Sequence, residues 1–289
     1  MSKYLISVDI EGITGVATKE FSKEGGRHYS LACKYMASDV NAVIQGILTV
    51  DDNAEILVRD AHGTASNLNL ELLHPKAQVV QGWDAGQNML TSLDESFSGV
   101  FLVGYHAGGQ NLDAVLAHTM SSIVKTLKIN GKVVNEAGLF AHYAGYYDVP
   151  VGFISGDNFT ITEASEQISH ELVGVITKQS YGRSCAASLS LELAKHKLRD
   201  GATIATIKFQ QKALTPIKIA GTVHLELGFY DSGVRVSAFR NLTKLLEHDS
   251  NYSFDLQNES LVFNSKNMIE AMQKLSLIFF VIYGIRGIS

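Results

Sequence analysis

Short runs of aliphatic and β-branched residues alternate with helical patterns over the first two-thirds of the chain. Residues 4–8 form the first such run, and the stretch 29–50 then carries apolar residues spaced by three or four, which is typical of one face of a helix. The further strand signals lie at 55–59, 77–80, 99–103 and 149–154. This alternation predicts an α/β fold with a mostly parallel sheet flanked by helices in three layers.

The pattern changes after Asp200-Gly201. Strand-like stretches are 203–209, 217–227 and 260–263, and helical patterns are 234–247 and 268–282. We therefore predict two domains, an α/β domain over 1–200 and a smaller α+β domain over 201–289 that contributes to oligomer contacts. Within the first domain, Asn130-Gly131 predicts a β-hairpin, because both residues tolerate positive φ.

Two helix starts can also be predicted in the first domain. Thr160 with Glu163 has the spacing of a capping box that opens a helix toward Ile168. The stretch 184–198 has a helical pattern.

Charge and cysteine content narrow the class of protein. The 289 residues include 24 Lys and Arg against 29 Asp and Glu, a net charge of −5 that argues against a nucleic-acid partner. Charged residues make up only 18%, below the roughly 25% typical of soluble domains, which predicts surface hidden between subunits. Two cysteines, Cys33 and Cys185, are too few for a disulfide framework or a thiolate zinc site and indicate a reducing compartment.

Neither end of the chain predicts a membrane or secretory segment. Asp9 interrupts the N-terminal apolar run too early for a signal peptide. The apolar stretch 275–285 is short of the roughly 20 residues that a membrane span needs, so we interpret it as the buried end of a last helix. The sequence predicts a cytoplasmic protein without a membrane partner.

Carboxylates and imidazoles follow three of the predicted strands. Asp9 and Glu11 follow the first, Asp60 and His62 the second, and His106 the strand 99–103. Singly, such residues most often cap turns or make structural hydrogen bonds. Because parallel strands end at one edge of the sheet, we expect these groups to meet, and buried carboxylates need a counter-charge that a divalent metal supplies.

Two further acidic positions have two interpretations each. Asp60 can accept a hydrogen bond from a ligand imidazole or cap a turn, with equal support. Asp157-Asn158 can receive the ammonium of a substrate, although a turn is the favoured interpretation. A dinucleotide site is disfavoured, because no Gly-x-Gly-x-x-Gly follows the first strand.

The ordered motifs of the chain resemble those of a known enzyme family. They are Ser7-Val-Asp9-Ile-Glu11-Gly12, Gly26-Arg-His-Tyr29, Asp60-Ala-His62, Gly104-Tyr-His106-Ala107, Ala117-His118-Thr-Met120, Asn135-Glu136-Ala-Gly-Leu139, Ala144-Gly-Tyr-Tyr-Asp-Val-Pro150 and Lys178-Gln-Ser-Tyr-Gly-Arg-Ser184. As a set, they resemble the zinc-dependent D-aminopeptidase family of metallopeptidases. The resemblance runs from about residue 4 to about residue 185, and the last hundred residues match only loosely.

The resemblance implies two zinc ions per subunit, five metal ligands and a catalytic histidine. The ligands are Asp9, Glu11, His62, His106 and Glu136, and the catalytic residue is His118. The resemblance thus makes the domain over 1–200 the metal-binding catalytic domain. Without the resemblance, Glu136 would be interpreted as a charge at a helix N-terminus and His118 as a core histidine. Five ligands are too many for one tetrahedral zinc with an open position, whereas a bridging Asp9 provides three protein ligands per ion.

The implied function is a dinuclear zinc aminopeptidase that releases N-terminal, D-configured amino acids from short peptides by means of a metal-bound hydroxide. His118 would stabilise the oxyanion or pass a proton to the leaving amine. The resemblance also implies a ring-shaped homo-oligomer with an internal chamber. Two alternatives remain: a dinuclear hydrolase of another bond (an amide, an L-peptide or a phosphoester), or a non-catalytic small-molecule binding protein.

Overall fold

Two β-sheets organise the chain in the computed structural model, which describes residues 1–84, 88–230 and 234–288. The strands are β1 (Lys3–Val8), β2 (Glu55–Asp60), β3 (Ala77–Val80), β4 (Gly99–Val103), β5 (Val124–Ile129), β6 (Lys132–Val134), β7 (Val151–Asp157), β8 (Val173–Ser180), β9 (Ala186–Ser188), β10 (Val223–Phe229), β11 (Tyr252–Asp255) and β12 (Ser260–Ser265). The helices are α1 (Lys19–Ser22), α2 (Tyr29–Val50), α3 (Glu136–Tyr146), α4 (Asn158–Gln167), α5 (Leu191–Gln210), α6 (Val234–Leu246) and α7 (Met268–Ile288).

The larger sheet has the strand order β3-β2-β1-β4-β7-β8-β9. All neighbouring strands are parallel except β9, which runs antiparallel to β8. β1 pairs with β2 from Lys3 opposite Glu55 to Val8 opposite Asp60, so their carboxyl ends are level. The predicted α/β fold with a mostly parallel sheet is confirmed.

Both faces of this sheet are covered by other elements, which explains why its strands are almost continuously hydrophobic. On one face, Ile6 and Val8 pack in a core with residues of α2 and α5. On the other face, Leu5 and Leu102 belong to a core shared with α3, the smaller sheet and α7. Helices and the smaller sheet therefore cover the parallel sheet, and its carboxyl edge is left to the loops that carry the candidate site.

The smaller sheet has the order β11-β12-β10-β5-β6 and is antiparallel. Its hairpin β5–β6 turns at Asn130 (φ 50°) and Gly131 (φ 80°), which confirms the predicted hairpin. The boundary predicted at residue 200 falls inside α5, and β5 and β6 join strands that follow residue 200. The division into two domains stays a prediction.

Three local predictions are wrong. Residues 203–209 form the second half of α5 rather than a strand, because Ala202, Ala205 and Phe209 recur at helical spacing and are buried there. That helix begins at Leu191, not at 184. Helix α4 is capped by Asp157, whose side chain accepts from the Thr160 amide, so Thr160 lies inside the helix and is not its cap.

The C-terminal helices agree with the sequence pattern. α6 and α7 cover the predicted stretches, and α7 buries Met272, Leu275 and Ile278 at helical spacing. Among the described residues, no helix combines the length and the apolar character required to cross a bilayer.

Candidate metal centre

Backbone pairing continues beyond the ends of β1, β2 and β4 and brings their loops together. The Asp9 amide donates to the Val103 carbonyl at 2.9 Å, and the Gly12 amide donates to the Gly104 carbonyl at 2.7 Å. A Cβ at Gly12 would lie 1.9 Å from the carbonyl oxygen of Tyr105, so no larger residue fits. The first loop is thereby pressed against the loop that carries His106.

All six site residues predicted from the sequence meet at this edge. They form two groups, Asp9 with Glu11 and His62, and His106 with His118 and Glu136, and in each group the potential ligand atoms lie within 4.8 Å of one another. Asp9 links the groups, because its Oδ1 lies 3.0 Å from His62 Nδ1 and its Oδ2 lies 3.3 Å from His106 Nε2.

Backbone carbonyls orient the three imidazoles. His62 Nε2 lies 2.6 Å from the Ser22 carbonyl, His106 Nδ1 lies 3.0 Å from the Ala107 carbonyl, and His118 Nδ1 lies 2.9 Å from the Leu116 carbonyl. Since a carbonyl only accepts, each of these ring nitrogens carries the proton. The opposite nitrogen of each ring is left as a potential ligand or base, the arrangement expected around a metal.

The carboxylates of the site are buried. Asp9, Glu11 and Glu136 are only 3%, 6% and 4% exposed. His106 Nε2 and Glu11 Oε2 are buried atoms without a hydrogen-bond partner, although Glu11 Oε2 lies 3.0 Å from His62 Nδ1. Carboxylate oxygens, imidazole nitrogens and unsatisfied polar atoms in one buried cluster fit a divalent cation.

The pKa values of Asp9, His62 and His106 are strongly shifted. Burial acts to raise the pKa of Asp9, but hydrogen bonds and charge from His106 and His62 outweigh it and hold this pKa well below its usual range. Burial acts to lower the pKa of His106, but the Glu136 charge and Asp9 raise it to about 10. For His62, Glu11 and Asp9 likewise overcome burial and raise the pKa well above normal. The carboxylates thus attract positive charge, which a divalent cation can supply in place of protons.

Glu136 reaches the site from the N-terminus of α3. Asn135 caps this helix by accepting from the Gly138 amide, and its own side chain donates to Glu163. Glu136 Oε1 accepts from the Met120 amide at 2.6 Å, which ties it to the loop that carries His118. A carboxylate at this position also interacts favourably with the helix dipole.

Asp60 acts as a turn cap. Its carboxylate accepts from the Asn67 amide, the Asn67 side chain and the Leu68 amide, at 2.5–2.8 Å. The same Asn67 side chain donates to the His62 carbonyl at 2.7 Å. Of the two interpretations of Asp60, the geometry favours the turn, and Asp60 supports His62 through Asn67.

Asp157 and Asn158 are also occupied by structural contacts. Asp157 accepts from the Thr160 amide and hydroxyl with one oxygen and from the Val115 amide with the other. Asn158 accepts from the Ser180 amide. The favoured interpretation as a turn fits these contacts, and Asp157 positions the loop before His118.

Sequence reasoning missed Lys178. This lysine of β8 is buried, and its ammonium donates to the carbonyls of Glu11 at 2.6 Å, Ile13 at 2.9 Å and Val16. Burial lowers the pKa of Lys178 to about 8. Lys178 opens one of the family-like motifs, which is the one signal in the sequence that could have singled it out.

Two sequence comparisons find known proteins that are similar to this chain. Residues 2–273 match the sequence model of a peptidase family described as Peptidase M55, D-aminopeptidase. A curated relative, the D-aminopeptidase of Bacillus subtilis (strain 168), is 35% identical over 215 residues, covering 74% of this chain and 77% of the relative.

A solved structure extends the similarity over nearly the whole chain. It is the Zn-dependent D-aminopeptidase DppA from Bacillus subtilis, described as a self-compartmentalizing protease. It aligns with a TM-score of 0.89 and 28% identity, covering 97% of this chain and 98% of that chain. The similarity therefore includes the last hundred residues, where the sequence motifs matched only loosely.

Proposed function

This chain belongs to the D-aminopeptidase family of peptidases, and from that premise we propose that it is a zinc-dependent aminopeptidase that removes N-terminal D-amino acids from short peptides. The observation that carries the proposal is the buried cluster in which Asp9 links two groups of metal-ligating side chains. The Zn-dependence of the structurally similar DppA supports the choice of metal.

The proposed centre holds two zinc ions. Its protein ligands are Asp9, Glu11, His62, His106 and Glu136. Asp9 would contribute to holding both ions, because its two oxygens face different histidines. Two ions bring four positive charges to three carboxylates, which leaves a charge that one hydroxide balances.

Zinc supplies two kinds of chemistry when bound, since it lowers the pKa of water from 15.7 to about 7 and polarises a carbonyl oxygen. The proposed work of the chain itself is to hold the ligands rigidly and to move a proton. His118 Nδ1–H is engaged by the Leu116 carbonyl, so Nε2 is the atom that can hold a proton and deliver it to the leaving amine. Such general acid help contributes about 10²- to 10⁴-fold in rate.

His118 is stacked on His106, with ring centroids 4.0 Å apart and planes 16° from parallel. This contact fixes the His118 ring against a proposed ligand. It also brings His118 into ligand range of Glu136. A measurement of bound metal therefore distinguishes the proposed catalytic role of His118 from a role as a metal ligand.

The first test is metal stoichiometry together with substrate choice. Purified full-length protein is analysed for bound metal and assayed on D-Ala-D-Ala, L-Ala-L-Ala and a phosphate monoester. We expect two zinc ions per chain and hydrolysis of D-Ala-D-Ala that a chelator abolishes and zinc restores. Chelator-resistant activity, or turnover of the phosphate ester alone, would reject the proposal.

The second test uses single variants. We expect His118→Ala to retain two zinc ions while kcat falls by about 10²-fold or more. His170→Ala is the matched control, because His170 is exposed and contacts Ser165. Loss of one zinc ion in His118→Ala would reassign His118 as a ligand, and two ions retained in Asp9→Ala would contradict the bridge.

The proposal extends to a ring-shaped homo-oligomer whose active sites face an internal chamber, in the cytoplasm. DppA is described as self-compartmentalizing, and charged residues are only 18% of this chain. Apolar side chains on α7 also reach the surface, including Phe280, which is 77% exposed. Light scattering after size exclusion should give a mass several times 31.4 kDa, and a monomer would contradict this part of the proposal.

A further inference from the structure

The loop that carries His118 is fastened to the segment that follows β8. The Leu116 amide donates to the Arg183 carbonyl at 3.0 Å, and Arg183 Nη2 donates to the Ala117 carbonyl at 2.8 Å. The Ser180 hydroxyl donates to the Asp113 carbonyl at 2.6 Å. The guanidinium of Arg183 is therefore held beside the residue that directly precedes His118.

Most of the donors of this guanidinium are left for another partner. Arg183 is exposed, and an arginine carries five N–H donors in a planar fork. Across residues 1–84, 88–230 and 234–288, the hydrogen bond to Ala117 is the contact that its side chain makes, and no carboxylate pairs with it. A cation that no carboxylate pairs with is thus anchored to the residue that precedes the proposed proton donor.

The chemistry of the leaving group indicates what this cation can bind. When an N-terminal residue is removed from a dipeptide, the leaving group is an amino acid with a free carboxylate. Only two bonds, about 2.5 Å end to end, separate its amine nitrogen from its carboxylate carbon. If His118 protonates the amine, the carboxylate lies close to the His118 ring, and Arg183 is anchored to the loop that carries this ring.

We propose that Arg183 binds the C-terminal carboxylate of a dipeptide substrate and so makes this enzyme favour a free C-terminal carboxylate over an amide. The inference rests on the proposed aminopeptidase function and adds a substrate class to it. A guanidinium matches a carboxylate through two parallel hydrogen bonds, which a lysine or an amide cannot reproduce. The anchor to Ala117 holds the fork in place before the substrate arrives.

The experiment compares D-Ala-D-Ala with D-Ala-D-Ala amide, which differs only in the charge of its C-terminus. We expect wild-type kcat/KM to favour the free acid by about 10- to 100-fold, since a charge-assisted bidentate contact is lost with the amide. In Arg183→Gln the preference should disappear, mainly through a higher KM for the free acid. Arg183→Lys should keep part of the preference.

Arg199→Gln is the matched control, because Arg199 is a partly exposed arginine of α5 beside His196 and Asp200. It should leave the preference unchanged. An equal fall in kcat/KM for both substrates in Arg183→Gln would show that Arg183 only clamps the His118 loop, and would overturn the inference. Wild-type enzyme that cleaves both substrates equally would overturn it without any variant, whereas wild-type enzyme that cleaves neither would reject the proposed function itself.

Discussion

Replacing Lys178 with methionine tests whether a buried ammonium holds the first loop of the site. Its three hydrogen bonds go to the carbonyls of Glu11, Ile13 and Val16, and the side chain is buried. Methionine fills a similar volume but donates nothing. The variant therefore leaves three carbonyls without their donor while keeping the packing of β8.

The magnitude follows from two opposing contributions. Hydrogen bonds from a charged donor stabilise by about 1.5–3 kcal/mol each, and three are lost. Burial lowers the pKa of Lys178 from 10.5 to about 8, which corresponds to about 3 kcal/mol of unfavourable charge burial that methionine removes. Lost hydrogen bonds minus removed charge burial leave an expected fall of about 3 kcal/mol in the free energy of unfolding of Lys178→Met.

Urea denaturation of metal-free protein at pH 7 measures this loss. Lys208→Met is the matched control, because Lys208 pairs with the exposed Glu171 at 2.8 Å and surface pairs contribute about 0–1 kcal/mol. A zinc titration should also show weaker binding in Lys178→Met alone, since Glu11 is in the loop that loses its support. If Lys178→Met and Lys208→Met lose the same small amount of stability, the reasoning is refuted.

Three further predictions address the surroundings of the site. Burial raises the pKa of Asp39 from 3.8 to about 6, so the folded state binds more protons than the unfolded state between these values. Metal-free wild type should therefore lose about 2 kcal/mol of stability from pH 4 to pH 7 that Asp39→Asn does not lose, and parallel urea-stability curves for the two proteins would contradict this. Gly12→Ala should destabilise by about 3 kcal/mol in the same assay, because the Tyr105 carbonyl occupies the place of the new Cβ, and wild-type stability would disprove the close contact. Asn67→Ala should weaken zinc binding by about 10- to 100-fold in a competition titration, because the His62 carbonyl and Asp60 lose a donor, and unchanged affinity would remove Asn67 from the support of the site.

The strands of the large sheet could be predicted because they are buried on both faces. A parallel strand covered on both sides must be apolar along its length, and β1, β2 and β4 stand out from the sequence for this reason. Their polar ends then locate Asp9 and His62 at one edge. This part of the site follows from local pattern and topology alone.

Glu136 and His118 could not be found in the same way. Glu136 follows β6, a strand of the smaller sheet, and His118 lies in a long loop, so neither is at the end of a parallel strand. Only the resemblance to a family placed them in the site. The positions of Glu136 and His118 in the site depend on how the two sheets pack, and a local hydrophobic pattern does not predict that packing.

At residues 203–209, the second half of α5, tertiary packing outweighs the local preference for a strand. Thr203 to Ile207 is rich in β-branched residues and predicts a strand in isolation. In the fold, α5 packs on α2, and a Cβ at Gly46 would lie only 2.7 Å from the Cβ of Ala202. Small residues at this crossing let two helices approach closely, and the burial of that interface outweighs a modest β propensity.

The hydrogen bonds that support the site were invisible in the sequence for a different reason. Lys178 meets the loop after β1 across more than 160 residues of chain, and Asn67 acts through a turn of irregular backbone. Polar contacts of this kind follow neither the helical nor the strand period. These contacts can be predicted only once the loops at the carboxyl edge of the sheet are placed in three dimensions.

The centre joins residues that are positioned by two different sheets. Asp9, Glu11 and His62 follow strands of the large sheet, whereas Glu136 follows the hairpin β5–β6, which pairs with β10 of the smaller sheet. A cation held by both sets of ligands binds only when the two sheets are packed together, so its binding free energy adds to the stability of that packing. Zinc should therefore raise the unfolding midpoint of both sheets as one transition.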